Sequence, residues 1–215
     1  MDPITLFDAN NFEKLCRQLA KKDAHLQHII GRHGYPPLWG RSTTFETLVH
    51  IILEQQVSLA SAKAAYIKLQ EKTGIITPEK ILALNPEELR ACYFSRQKIV
   101  YVKHLAEKVL DHSLPLHHLH KYADEEVHRL LKNVKGIGNW TADVFLMMCL
   151  HRCDCFPVGD VALIKSVKET MRLPATITKE DILVMAEKWR PYRTIAAFIL
   201  WHAYIKKRNM KVDGY

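Results

Sequence analysis

Residues 134–138, Val-Lys-Gly-Ile-Gly, form the segment whose residue types indicate chemistry most directly. Two glycines that flank one apolar residue allow a tight turn and a close approach of the backbone to a ligand. Amides of Gly138 and of the first turn of a following helix would point outward, which makes a site for phosphate. Lys135 adds a positive charge, and Ile137 is expected to plug between the two helices. We predict a phosphate-binding hairpin; the alternative is an ordinary corner between helices.

Two other segments contain residue types that bind metals. Cys149, His151, Cys153 and Cys155 are separated by single residues, which gives poor tetrahedral geometry and lacks the usual cysteine pairs. We therefore interpret these cysteines as small buried hydrophobic residues. The histidine-rich segment contains His112, His117, His118 and His120. Because this segment contains no cysteine or carboxylate, we predict that it is a solvated linker.

The composition is that of a globular protein. The 215 residues are 48% hydrophobic and 25% charged, which excludes disordered and fibrous classes. The net charge of +8 (31 basic minus 23 acidic) permits a polyanionic partner. The most apolar stretch, residues 195–205, is too short to cross a bilayer. The first ten residues include acids where a secretory signal would be basic and then apolar, and the odd count of five cysteines suits a reducing compartment.

Helix signals dominate along the chain, and no segment alternates like a strand bounded by hairpin turns. We predict an all-α protein of about ten short helices. Capping residues and prolines mark the expected helix starts at Asp8 or Asn10, Thr43, Ser58, Thr77, Asn85, Ser95, Asp124, Thr178 and Pro191. Asp160 would cap a helix over Val161–Met171, and the hairpin would join a helix ending at Asn133 to one starting near Asn139.

Four stretches of the sequence carry a family resemblance. VKGIGNWTADVF followed by DCFPVGDVALIKSV resembles the hairpin, the Gly/Pro-rich loop and the aspartate of the helix-hairpin-helix DNA glycosylase superfamily. FETLVHIILEQQVSLASAKAAYIKL is similar to its first core segment, and EKWRPYRTIAAFILWHAY to its closing helix. The match runs in order from about Phe45 to Tyr204 and is closest to the 3-methyladenine DNA glycosylase II branch.

The resemblance implies an all-α helix-hairpin-helix glycosylase fold with two helical lobes around a cleft. Residues 1–215 would form a single catalytic core. Lobe one would contain approximately residues 1–42 and 191–215. Lobe two would contain approximately residues 43–190, including the hairpin 134–138.

The resemblance also implies a reaction. Asp160, 22 residues after Gly138, stands at the position of the catalytic carboxylate. Such a group stabilises the oxocarbenium-like state that forms on the sugar, and it can orient or deprotonate the attacking water. Trp140 stands where relatives that also cleave the strand carry a lysine for a Schiff base. The expected activity is therefore hydrolysis that leaves an abasic site. Asp160 could also act only as a helix cap, and both roles can hold together.

Two further groups of residues follow from the resemblance. Trp140 and Trp201 match aromatic pocket positions that stack on a flipped alkylated purine, whereas Val144 and Val161 stand where aromatic residues occur in the branch. The expected DNA contacts come from Gln55, Gln56, Lys135, Gly136, Ile137, Gly138 and Thr141, with Gln56 filling the gap left by the extruded nucleotide. The alternatives are core filling by the tryptophans and a solvated turn at the glutamines.

The resemblance implies no required cofactor. The chain has no cysteine after Cys155, so the four-cysteine iron-sulfur cluster of some relatives is not expected. A structural Na⁺ or K⁺ is expected at the backbone carbonyls of Lys132, Val134 and Ile137. The expected partner is damaged double-stranded DNA, with no membrane association, and the protein would act as a monomer inside the cell, with the DNA.

The function expected from these residues is that of a monofunctional DNA glycosylase. It would hydrolyse the N-glycosidic bond of alkylated purines of the 3-methyladenine type in duplex DNA, in base excision repair. Two alternatives stay open at this point. One is a non-catalytic, hairpin-based DNA-binding module, and the other is a glycosylase for a different damaged base.

Overall fold

Helices account for nearly all the regular structure in the computed structural model, which describes residues 5–210. The α-helices are α1 Phe12–Ala20, α2 Ala24–His33, α3 Phe45–Glu54, α4 Leu59–Thr73, α5 Pro78–Ala83, α6 Pro86–Ala91, α7 Arg96–Leu110, α8 Asp124–Lys132, α9 Asn139–Met148, α10 Val161–Met171, α11 Lys179–Ala186 and α12 Arg193–Lys207. Short 3₁₀ helices cover Leu116–Lys121 and Glu187–Trp189. The all-α prediction is confirmed. Within the described residues, no helix is both long and apolar enough to span a membrane.

Capping side chains start many of these helices, as the sequence predicts. Five residues each accept a hydrogen bond from the backbone N–H three positions later: Ser58, Thr77, Asn85, Ser95 and Thr178. Asn85 and Thr178 form capping boxes with Glu88 and Asp181, respectively. Because each cap satisfies an amide that the helix leaves unpaired, these short helices begin at defined residues.

Four predicted helix starts were displaced by one to three residues. Thr44 rather than Thr43 caps α3, since its extended backbone lets its hydroxyl accept from the Thr47 amide. Asp124 lies inside α8, where its charge favours the N-terminal turn, and Ala123 occupies the cap. Asp8 accepts from the amides of Asn10 and Asn11 in a turn before α1. The residue immediately before α1 is Asn11. Helix α12 begins at Arg193, two residues after Pro191.

The first compact unit comprises Met1–Arg41 and Leu146–Tyr215, and α12 is its central helix. Helices α1, α2 and α10 pack against α12, whose residues 194–200 are buried. The Phe198 ring on α12 lies 5.4 Å from the Trp39 ring and 5.5 Å from the Phe7 ring, measured between centroids. Aromatic contacts therefore join the N-terminal segment to α12.

The second compact unit comprises Ser42–Phe145, so the boundary falls within α9. Helix α3 packs against α4 and α7, and α5 and α6 pack against α7. The sequence analysis assigned residues 146–190 to the lobe with the hairpin, whereas the structure groups them with the first unit. Contacts with α12 account for part of the difference. Helix α10 packs against α12, and the Thr194 hydroxyl of α12 donates to the Arg152 carbonyl and accepts from the Cys155 amide.

The cysteine and histidine segments have structural surroundings. Cys153 and Cys155 are buried, as expected of small hydrophobic residues, and burial raises the pKa of the Cys149 thiol to about 12. In the linker that contains four histidines, Leu116 and Leu119 are buried, and the histidine side chains are exposed.

A helix that the sequence analysis did not identify, α2, begins at the buried Asp23. Its carboxylate accepts from the His25 amide at 2.9 Å and from the Trp189 indole Nε1 at 2.8 Å, and it pairs with the Lys188 ammonium at 2.9 Å. Burial is the largest influence on the pKa of Asp23 and raises it, but the hydrogen bonds from Lys188 and Trp189 and the nearby charge outweigh burial. The pKa of Asp23 is therefore held below its ordinary value of 3.8.

We predict that Asp23→Ala lowers the free energy of unfolding by about 2 kcal/mol at neutral pH, because buried donors lose an ionised acceptor. Since the folded-state pKa of Asp23 is depressed, its stabilisation is present above the unfolded pKa and lost as pH falls through the folded pKa. Denaturant titrations at pH 7 and pH 3 measure this, and the difference between wild type and variant should shrink at pH 3. A pH-independent difference would contradict the assignment; Asp23→Asn, which keeps an acceptor, is the milder control.

Candidate functional site

The predicted hairpin is present between α8 and α9. Helix α8 ends at Lys132, and α9 begins at Asn139. Ile137 is buried between them, and its amide donates to the Val134 carbonyl at 3.1 Å. Lys135 and Gly138 are exposed, and the Gly138 carbonyl accepts the first helical bond of α9 from Ala142. The corner therefore leaves the beginning of α9 open to solvent, where helix N-termini bind anions.

Two side chains of α7 shape this corner. Gly136 has φ of +83°, and a Cβ at this position would overlap the ring carbons of Tyr101. The Lys135 amide donates to the Nδ1 atom of His104 at 3.0 Å. Tyr101 and His104 are three residues apart on α7 and so lie on one face, but their sequence gave no sign that this face contacts the hairpin.

Gln55 connects the turn between α3 and α4 to the hairpin. Its Nε2 atom donates to the Gly136 carbonyl at 2.9 Å and to the Thr141 hydroxyl at 3.0 Å. The Thr141 side chain is 1% exposed, so it supports the hairpin from the interior, and its backbone amide is the candidate contact to phosphate. Gln56 is exposed and has φ of +57°, a left-handed conformation that is uncommon outside glycine. The turn thus directs one glutamine inward and the next one outward.

Lys98 of α7 supports the same turn. Its ammonium donates to the Leu53 carbonyl near the end of α3 at 2.6 Å, and burial lowers the pKa of Lys98. Beside this contact lies a cavity of about 300 Å³ whose lining includes Val57, Tyr93 and Lys98. The sequence analysis did not identify Lys98, because a lysine on a helix is usually solvated and its spacing carried no signal.

The carboxylate of Asp160 lies in the first unit and caps α10, as predicted. Its Oδ1 atom accepts from the Leu163 amide at 2.7 Å and from the Trp201 indole Nε1 at 3.0 Å. The structure therefore brings together two predicted site residues that are 41 positions apart in the chain. Val161, the next residue, is 68% exposed, so its side chain is accessible beside the carboxylate.

The loop before Asp160 is fixed by hydrogen bonds. The Asp160 amide donates to the Pro157 carbonyl at 2.8 Å, and the Val158 amide donates to the Phe156 carbonyl at 2.8 Å. Upstream, Arg193 of α12 donates through its guanidinium to the carboxylate and the carbonyl of Asp154. These bonds fix the loop that leads to Asp160.

The remaining predicted pocket residues lie in the second unit, on α9. Trp140 is half-buried in the first turn of α9, and Val144 is buried one turn later. Their spacing of four residues places both side chains on one face of the helix. Trp140, in the first turn, is partly exposed to solvent, whereas Val144 is part of the core.

This all-helical fold, with a glycine hairpin and a helix-capping aspartate after a Gly/Pro-rich loop, is that of a base excision DNA repair protein. A family model described as "HhH-GPD superfamily base excision DNA repair protein" matches residues 49–191, about two thirds of the chain. The chain belongs to this superfamily.

Relatives within the superfamily point to one branch. The chain is 28% identical over 208 residues to DNA-3-methyladenine glycosylase 1 of Schizosaccharomyces pombe, covering 90% of this chain and 91% of the relative. It is 28% identical over 207 residues to the DNA-3-methyladenine glycosylase of Bacillus subtilis, covering 91% and 68%, respectively. A solved structure of the S. pombe 3-methyladenine DNA glycosylase in complex with abasic DNA matches with a TM-score of 0.81 and 29% identity, over 87% of this chain and 95% of that one.

We predict that Gly136→Ala destabilises the hairpin and weakens DNA binding by at least tenfold. The new methyl group meets the Tyr101 ring, and the positive φ adds strain of about 1 kcal/mol or more. Thermal unfolding and fluorescence anisotropy with a duplex measure the two effects.

Gly138→Ala is the matched control within the same hairpin. Its added methyl group has no atom within 4 Å, and the residue does not have a positive φ. We expect its unfolding free energy to stay within about 1 kcal/mol of wild type. Equal loss of stability in both variants would show that overlap with the Tyr101 ring is not what destabilises Gly136→Ala.

Proposed function

We propose that the chain is a monofunctional DNA glycosylase that hydrolyses the N-glycosidic bond of alkylated purines, of the 3-methyladenine type, in duplex DNA. The reaction would belong to base excision repair, carried out by a monomer inside the cell, with the DNA. The observation that carries the proposal is the Asp160 carboxylate, fixed by the Leu163 amide and the Trp201 indole at the start of α10. The names of the relatives support the choice of alkylated purines.

In the proposed function, the hairpin binds the DNA backbone. Amides at the start of α9 and the exposed Lys135 favour a phosphate, and the net charge of +8 favours association with DNA. No cofactor is needed for the reaction. A Na⁺ or K⁺ ion would bind at the carbonyls of Lys132, Val134 and Ile137. The Val134 carbonyl already accepts the Ile137 amide, but a carbonyl oxygen has a second lone pair for a hard cation.

Asp160 supplies the charge that the reaction needs. As the bond between C1′ and the base nitrogen breaks, its electron pair leaves with the base, and positive charge develops on the sugar. The Asp160 carboxylate stabilises this charge, and it accepts a proton from the water whose oxygen bonds to C1′. A purine alkylated at a ring nitrogen is cationic, so it departs as a neutral base. Little acid catalysis is then required, which fits a site built around one carboxylate.

Trp140 supports hydrolysis without strand cleavage. A lyase step needs an amine that forms a Schiff base with the sugar, and an indole has no nucleophilic amine. The half-buried indole can instead stack on the electron-poor face of a flipped purine.

Gln56 is suited to replace the extruded nucleotide. It is exposed and has a left-handed backbone conformation, and Gln55 and Lys98 hold its turn in place. Its amide can donate to and accept from the orphaned partner base, which an apolar wedge cannot do.

We predict that the wild-type protein releases free base from a duplex containing 3-methyladenine, and that Asp160→Asn reduces the rate by at least a thousandfold. Asparagine keeps an oxygen that can cap α10 and accept from Trp201, but it removes the negative charge. Chromatography of released bases under single-turnover conditions measures the rate, and circular dichroism checks the fold. Binding of the duplex with no release by wild type would support the non-catalytic module instead. Release from oxidised or deaminated bases only would indicate another lesion class.

We also predict that borohydride traps no covalent adduct between the protein and DNA during base release, because no lysine occupies the position of Trp140. The product duplex should contain an intact strand until it is treated with alkali. A trapped adduct, or strand breaks that appear as fast as the base is released, would contradict monofunctional hydrolysis. A bifunctional glycosylase on its own substrate serves as the positive control for trapping.

A further inference from the structure

Trp201 makes a polar contact that stacking on a base does not require. Its Nε1 donates to Oδ1 of Asp160 at 3.0 Å, and the Leu163 amide donates to the same oxygen at 2.7 Å. The two donors belong to different elements: Leu163 lies in the first turn of α10, and Trp201 lies on α12. Two donors from different helices thus fix one oxygen of the Asp160 carboxylate.

The surroundings keep this contact in register. Helix α10 packs against α12, and the buried Ser166 hydroxyl of α10 donates to the Leu200 carbonyl, next to Trp201 in the chain. The Trp201 ring lies 5.9 Å from the Phe198 ring, measured between centroids. Sliding of α10 along α12 would therefore break the Ser166 bond and the indole contact together.

We propose that Trp201 is a positioning residue for base excision: its indole N–H orients the Asp160 carboxylate. This role rests on the proposed function of Asp160. The torsion that rotates a carboxylate about its Cβ–Cγ bond is soft. A donor on α12, in addition to the cap donor on α10, narrows the range of orientations that the carboxylate can adopt.

The variant Trp201→Phe separates positioning from stacking, because phenylalanine keeps an aromatic ring and removes the N–H donor. We expect a single-turnover rate about tenfold to hundredfold lower than wild type, the range for a hydrogen bond to a charged group. Affinity for a duplex that contains an abasic-site analogue should change less than threefold.

Trp39→Phe is the matched control. Trp39 is a buried tryptophan of the same unit, and its ring lies 5.4 Å from the same Phe198 ring. This substitution makes a similar change in packing around Phe198 and leaves the Trp201 bond to Asp160 in place. Its rate should match wild type when both variants are compared at temperatures well below their unfolding transitions.

Two outcomes would overturn the positioning role and leave Trp201 as a stacking residue. One is an unchanged rate in Trp201→Phe, and the other is a loss of DNA affinity as large as the loss of rate. Wild-type protein that releases no base would instead contradict the proposed function, and the positioning role with it.

Discussion

The bond between the Asp160 carboxylate and the start of α10 is the interaction on which the candidate chemistry depends. A capping residue must lie at the helix N-terminus with an oxygen aimed at the amide three positions later, as Asp160 does with Leu163. That geometry fixes one oxygen of the carboxylate in space, at the positive end of the helix dipole. The residue that starts the helix is therefore also the residue that supplies the charge in the proposed reaction.

The conformation of the hairpin likewise depends on a few contacts of its backbone. The corner works because Gly136 adopts a positive φ against the Tyr101 ring, where a side chain would not fit. The Gln55 side chain points toward the hairpin: its amide donates to the Gly136 carbonyl and to the Thr141 hydroxyl. Buried polar groups are paired so that the amides that remain at the surface keep one arrangement. The proposed phosphate site would thus have donors that are already oriented.

The sequence predicted those features whose causes are local. The cap at Asp160, the capping box at Asn85 and the glycine corner each depend on residues within a few positions, and all three are present. Contacts between distant positions were not predictable: the Tyr101 ring against Gly136, the indole of Trp201 on Asp160 and the indole of Trp189 on Asp23. Helix α2 is an exception, because its cap is local: the Asp23 carboxylate accepts from the amides of His25 and Leu26, and the sequence analysis still missed this helix.

The boundary between the units had a similar cause. Residues 146–190 follow the hairpin in the chain, so sequence order suggested that they share its lobe. Part of this segment is bonded to α12 by Thr194, whose hydroxyl both donates and accepts among residues 152–155, and α10 also packs against α12. A threonine in the middle of an apolar helix gives no hint of its partners, since its hydroxyl can bond locally or across a core.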